Sequence, residues 1–374
     1  MKFTLFVTQQ CNLRCTYCYI DKHQETMTVS VAKKVVDFIF KKSIIGQEEI
    51  NIGFFGGEPL LEFELIKEIT SLIQNHPFYH NVKVNLSVVT NGTIFSDDIA
   101  EFINENDVSF GISCDGPPMI QDQFRVLVSG NKTSDIVEKN IRRAKKALPN
   151  VMVNAVYKPE TLKYLPETVA YFSSLGIKQI YLNPDFSAAW TKADAEALPG
   201  VYDQVGQLYS KYYRQDNSHF ISLIDSKITV ILRNGYGESE RCRMGDAEFA
   251  FTPKGNIYPC ERLVGNGQND HCIGSVFEGV DQVHMSCHKA ADGEMNTACM
   301  SCGLKDYCMN WCGCSNYMAS GYYNRVSPFM CASEKAAIQT SFNVFQTLER
   351  ELGPTFYEHA AGKLMTNSLS EHYN

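Results

Sequence analysis

Fourteen cysteines in 374 residues are the first chemistry this sequence offers. Cys11, Cys15 and Cys18 are separated by three and then two residues. A loop so spaced can fold around one small inorganic cluster, and thiolates are the standard ligands of iron–sulfur clusters. Three ligands leave one iron of a four-iron cluster without a protein ligand, and an open position is what chemistry at a metal requires. A tetrahedral zinc site that borrows a fourth ligand fits the same three residues. Cys114 stands alone, and the other ten cysteines fall between Cys242 and Cys331. Among them Cys242 is followed by twelve residues, Gly255, four residues and Cys260; then come Cys299-x2-Cys302-x5-Cys308-x3-Cys312 and finally Cys331. Read alone, Cys299 to Cys312 fits a zinc ribbon.

The elements that must position these residues alternate regularly. Lys2 to Thr8 reads as a strand running into the first cysteine loop, and Val31 to Lys42 as a helix capped by Ser30. Strands are expected at Glu49–Phe55, Val82–Thr90, Val108–Cys114, Val151–Tyr157 and Gln179–Leu182. Helices are expected at Phe63–Asn75, from Ser96 to Asn106, at Ser134–Ala147, Tyr164–Leu175 and Asp194–Arg214. Six strand–helix units with short links predict a parallel α/β sheet. The unusual loops follow strand C-terminal ends, which form the functional rim of parallel α/β folds. Gly56-Gly57-Glu58-Pro59 follows the second strand and Thr90-Asn91-Gly92 the third. Alone, each is a turn; in this order after the cysteine loop, they let backbone approach a ligand.

Composition narrows the class. The chain is 44% hydrophobic and 20% charged, which excludes disorder and collagen-like structure. Net charge −8 argues against nucleic acid as a partner. No apolar run approaches a membrane span of roughly 18 residues, and the first ten residues turn polar too soon for a signal peptide. The expected location is the cytoplasm, where cysteine clusters more often bind metal than form disulfides.

With these motifs, residues 2 to about 215 resemble a radical S-adenosylmethionine (SAM) enzyme. The resemblance implies a partial (β/α)6 barrel whose SAM-binding 4Fe–4S cluster is held by Cys11, Cys15 and Cys18. Gly56, Gly57, Glu58 and Pro59 match the segment that holds the SAM amino group, and Tyr17 the aromatic near the adenine. Asn91, Ser113 and Arg125 lie where related enzymes contact the ribose or carboxylate. The seven-cysteine arrangement from Arg241 to Cys331 resembles a SPASM domain with two auxiliary 4Fe–4S clusters. That resemblance assigns Cys299, Cys302, Cys308 and Cys331 to an outer cluster, and Cys242, Cys260 and Cys312 to an inner one. Gly235 to Arg241 holds no fourth inner cysteine. The inner iron is then open, or closed by Cys272, Cys287, Cys314 or a carboxylate such as Glu240 or Asp246; otherwise those cysteines, like Cys114, are small buried hydrophobes.

The resemblance divides the chain into a barrel (1–215), a bridging segment (216–240), the SPASM module (241–334) and a C-terminal helix and tail (335–374). Its implied activity is reductive cleavage of SAM to a 5′-deoxyadenosyl radical. That radical takes hydrogen from a peptide, cysteine-containing by expectation, and oxidation through the auxiliary clusters gives a thioether or carbon–carbon crosslink. The alternative enzyme is a sulfatase-maturase-like former of formylglycine from Ser or Cys, in which Glu261, directly after Cys260, is the catalytic base. The alternative outside enzymes is an iron–sulfur electron-transfer protein or zinc scaffold. Expected partners are a reductant such as flavodoxin or ferredoxin and, because only ten residues precede Cys11, a separate leader-binding protein unless the substrate is recognised directly.

Overall fold

The computed structural model describes residues 1–46, 49–264, 271–281, 296–358 and 360. Its strands are β1 (Lys2–Thr8), β2 (Ile50–Gly56), β3 (Val84–Thr90), β4 (Ser109–Ser113), β5 (Met152–Tyr157), β6 (Gln179–Pro184), β7 (Phe220–Ile221), β8 (Glu248–Phe251), β9 (Asn256–Tyr258), β10 (Gly274–Ser275) and β11 (Gly279–Val280). Its helices are α1 (Val29–Gly46), α2 (Phe63–Gln74), α3 (Asp97–Glu105), α4 (Pro118–Phe124), α5 (Ser134–Ala147), α6 (Leu165–Ser174), α7 (Lys192–Arg214), α8 (Ser222–Leu232), α9 (Thr297–Met300), α10 (Gly313–Ser320) and α11 (Pro328–Leu352). The chain forms two compact units. One comprises Met1–Ser113, Asp122–Val151 and Arg243–Ala291; the other comprises Cys114–Gln121, Met152–Cys242 and Asp292–Asn374.

In the first unit β1 to β4 are parallel neighbours, with Phe3 opposite Ile52, Ile52 opposite Leu86 and Val89 opposite Gly111. Phe3, Leu5 and Val7 are fully buried on one side of β1. On that side Phe3 stacks on Phe249 and Phe251, and Phe38 of α1 meets both rings edge-on. Both faces of β1 are covered, as a parallel sheet requires. Its other neighbour is β8, also parallel, with Lys2 opposite Glu248; β9, β10 and β11 follow antiparallel. Helix α1 starts two residues earlier than expected. Thr28, not Ser30, is its cap: the Val31 amide donates to the Thr28 hydroxyl at 3.3 Å. Ser96 does cap α3, accepting from the Ile99 amide at 3.3 Å.

In the second unit β5, β6 and β7 are parallel. Strand β6 runs through Asn183 to Pro184, two residues past the expected end. Thr191 and Asp194 form a reciprocal capping box that starts α7. The long α11, capped by Ser327 with Pro328 in its first turn, packs on α7 and α8. Gly206 makes the α7 contact close: a Cβ there would stand 2.9 Å from both Thr340 and Val344. Buried hydrogen bonds from Thr340 to Asp203 and from Ser341 to the Leu223 carbonyl fix the register.

Candidate active site

Strand β1 delivers the chain into the cysteine loop, which is pinned from both sides. The Arg14 and Thr16 amides donate to the Val126 and Phe124 carbonyls, and the Val128 amide donates to the Asn12 carbonyl. The Cys18 amide closes the loop on the Cys15 carbonyl at 3.3 Å. All three sulfurs belong to half-buried residues, and none of the described cysteines is in a disulfide. N–H donors face two of them. Leu13 N and Asn91 Nδ2 lie 3.4 and 3.8 Å from Cys11 Sγ, and Arg125 Nη1 lies 3.9 Å from Cys15 Sγ. Burial pushes the Cys11 thiol up, against the Leu13 amide. These donors suit thiolates held by a positive cluster, so the loop fits the group its spacing implies.

The glycine segment lies against this loop. Gly57 N donates to the Thr8 carbonyl at 2.9 Å and Glu58 N to the Gln10 carbonyl at 2.8 Å. Gly56 has φ +131°, and a Cβ on it would stand 2.0 Å from the Thr8 carbonyl oxygen; one on Gly57 would stand 2.1 Å from that of Gln10. Only glycine permits this approach. Behind it, Glu58 is fully buried. Its carboxylate accepts from Thr90 Oγ1 at 2.7 Å, Asn91 N at 2.7 Å and Leu60 N at 3.0 Å. Burial nevertheless pushes its pKa up to about 7, against those bonds and Arg125. Asn91 is held by Asn12 and Thr93, and the Arg125 guanidinium stands 5.4 Å over the Tyr17 ring. Contacts thus join Cys11, Asn91 and Glu58, and likewise Cys15, Arg125 and Tyr17, with the Arg125 charge acting on Glu58; Ser113, half-buried, ends β4.

The module cysteines divide by surroundings. Cys299 stands close enough to Cys302 and Cys331 for their charges to act on it, after burial, in raising its pKa. Cys308 is pushed up by burial and then by Glu334, while Lys227 works against both. Cys260 and Cys312 are buried and Cys242 half-buried. Of the candidates for a fourth inner ligand, Cys314 is buried with its sulfur 3.8 Å from that of Cys312. Glu240 is engaged by Arg233 and the Gly237 amide, and Asp246 by Arg243. Cys272 faces the Gly274 carbonyl, and Cys114 faces that of Gly116. Cys287 lies outside the described residues. Among the described residues, no three His, Cys, Asp or Glu side chains converge as a single-ion site.

Glu261 is mostly buried and paired with Lys2 at 3.3 Å. Burial raises its pKa, but Lys2 and Arg262 overcome that and hold the carboxyl below the usual range. Composition and spacing gave no sign of Lys2. Nor did they give Lys227 and Glu334, a buried pair 2.7 Å apart, or the chain from Tyr157 OH to Tyr202 OH (2.6 Å) to Ser333 Oγ (2.8 Å). Tyr157, Asn183, Lys227, Ser333 and Glu334 line a cavity of about 90 Å³ in the second unit, with Phe329 on its wall. A lysine inside the apolar run of α8 was the one available signal.

Comparison with known proteins agrees with the resemblance. Residues 5–172 match the family model described as the radical SAM superfamily, so the chain carries a radical SAM domain. A cysteine-type anaerobic sulfatase-maturating enzyme of Clostridium perfringens is 26% identical over 271 residues, 68% of this chain and 72% of the relative. The radical SAM cyclopropyl synthase TigE of Paramaledivibacter caminithermalis is 23% identical over 82% of this chain and 66% of its own. In fold, the chain is similar to the anaerobic sulfatase-maturating enzyme anSMEcpe, solved with AdoMet and the peptide Cp18Cys. The TM-score is 0.78 at 20% identity, covering 94% of this chain and all of that one. The expected α/β class, a partial barrel followed by a SPASM-type region, stands on this likeness. Residues 5–172 are thus a radical SAM domain, in a chain similar in sequence to sulfatase maturases and to a peptide-modifying radical SAM enzyme. Among the described residues no helix is long and apolar enough to cross a membrane.

Proposed function

We propose that this enzyme oxidises a side chain of a peptide or protein, with Cys11, Cys15 and Cys18 holding the SAM-binding cluster. Two auxiliary clusters sit on the module cysteines, Cys299, Cys302, Cys308 and Cys331 forming the outer set. The observation that carries the reading is Glu58, a carboxyl buried behind the glycine segment and tied to the cysteine loop through Asn91. An ammonium group beside it would favour its ionised form and meet a charge that water does not screen. Bound clusters and SAM supply the radical that takes hydrogen from substrate carbon and the acceptor for a second electron. The chain's own part is to orient and to move protons. The glycine backbone and Glu58 would hold the SAM amino group, Arg125 and Asn91 would meet its carboxylate or ribose, and Tyr17 would pack by the adenine.

Two fates of the oxidised carbon are supported. A thioether or carbon–carbon crosslink agrees with the relationship to peptide-modifying enzymes. Formylglycine formation is the second reading: Glu261, directly after Cys260 and ionised beside Lys2, is a carboxylate that can accept the substrate's hydroxyl or thiol proton. A separate reductant and a leader-binding protein belong to the same proposal.

The experiment is anaerobic reconstitution, SAM-cleavage assay and mass analysis of candidate peptides. Cys11→Ala, Cys15→Ala or Cys18→Ala should abolish SAM cleavage. The Cys299→Ala/Cys302→Ala variant should lose peptide oxidation yet keep uncoupled SAM cleavage. A crosslink removes two hydrogens and leaves no carbonyl. Formylglycine leaves a hydrazide-reactive aldehyde, and from cysteine it also exchanges sulfur for oxygen. A colourless protein with stoichiometric zinc and no SAM cleavage would refute the reading.

A further inference from the structure

We propose that Lys227 and Glu334 form a buried charge clamp that positions Cys308 and sets the reduction potential of the outer auxiliary cluster. This inference rests on the cluster assignment proposed above. Lys227 lies on α8 and is almost fully buried. Its ammonium donates to Glu334 Oε2 at 2.7 Å, to the Tyr307 carbonyl at 3.4 Å and to the Tyr236 hydroxyl at 3.5 Å. The same Glu334 oxygen accepts from the Met309 amide at 2.6 Å. The residues before and after Cys308 are therefore held by opposite ends of one ion pair.

The clamp also reaches the other ligands. Glu334 stands three residues after Cys331 on α11, where side chains so spaced are neighbours on one helix face. Cys331 in turn acts on Cys299, as does Cys302. One turn of α11 thus links the Cys308 segment to the remaining three thiols.

An ion pair with its lysine buried and its glutamate partly so adds little to stability alone, because desolvation offsets much of its attraction. Beside a cluster it has a second effect. Net charge and hydrogen bonds near the sulfurs set the potential of iron–sulfur centres. Adding an electron is favoured by the Lys227 cation and opposed by the Glu334 anion, in a medium that screens neither well.

The test uses the full-length reconstituted enzyme and an EPR-monitored redox titration. Cys308→Ala first identifies the signal and the iron that belong to this cluster. On that signal Lys227→Met should lower the midpoint potential and Glu334→Gln should raise it. Each shift should be about tenfold in the reduction equilibrium, ~59 mV for a one-electron couple. Should Lys227→Met fail to fold, Lys227→Met/Glu334→Gln compared with Glu334→Gln reads the same lysine charge, and the double variant should return towards the wild-type potential. A merely structural pair would not give shifts of opposite sign. Unmoved potentials, or shifts of one sign, would overturn the clamp while leaving the cluster in place. If Cys308→Ala removes neither iron nor signal, the outer-cluster assignment falls and the clamp with it.

Discussion

Glu58 and Glu261 are both buried carboxyls, yet the fold moves them in opposite directions. Glu58 meets only amides, a hydroxyl and a distant guanidinium, so burial dominates and lifts it from 4.5 to about 7. A raised folded-state pKa contributes stability that is complete below the unfolded value and lost as pH rises through about 7. At about 1.4 kcal/mol per unit the contribution is on the order of 3 kcal/mol. Glu58→Gln should therefore gain on the wild type in apo melting temperature between about pH 5 and about pH 8. The same variant should bind SAM roughly tenfold more weakly at pH 8, for want of a charged partner. Thermal melts and calorimetric titration check the two halves; a pH-independent difference in melting temperature would contradict the first. Glu261 is instead held down by Lys2 after burial has pushed it up. Lys2→Met leaves that carboxylate only the Arg262 charge and should cost roughly 1–3 kcal/mol, most of it recovered in Lys2→Met/Glu261→Gln. Urea denaturation of the four-member cycle measures it.

At the scale of elements, two glycines control how closely chain meets chain. Gly57→Ala would drive a methyl into the Gln10 carbonyl, where backbone, not a flexible side chain, must yield. It should lose iron from the Cys11 loop, read as reduced cluster absorbance and SAM cleavage. Gly206→Ala meets only Thr340 and Val344 side chains, so it should cost roughly 1–3 kcal/mol by overpacking, seen in denaturant midpoints, with cluster content unchanged. The first of these glycines was legible in the sequence because a loop's ligands and breaks are encoded locally. For the same reason the order from β1 to α7 could be read from apolar period and turn residues. What could not be read was non-local. Arg125 reaches Cys15 across 110 positions and Lys2 reaches Glu261 across 259. No local period announces a two-residue β7, or the parallel pairing of β8 with β1. The α1 start departs from expectation for a smaller reason: Thr28 and Ser30 offer the same hydroxyl chemistry, and only backbone geometry chooses.

For the whole molecule, the ligand sets proposed above would tie together segments far apart in sequence, which would couple metal binding to folding. The holo enzyme should melt well above the apo chain. Cys299→Ala/Cys302→Ala should erase part of that gap and Cys11→Ala/Cys15→Ala a different part, measured by calorimetry under anaerobic conditions. Equal melting of holo and apo forms would contradict the coupling. The placement of β1 has one more consequence. Its neighbour β2 is translated soon after it, but β8, its other neighbour, emerges only when about two thirds of the chain has been made. Until then a nascent β1 offers an open hydrogen-bonding edge along Lys2 to Leu5, inviting wrong partners. The ribosome-bound chain is thus a natural client for a chaperone until β8 pairs with Lys2 to Leu5 and closes that edge.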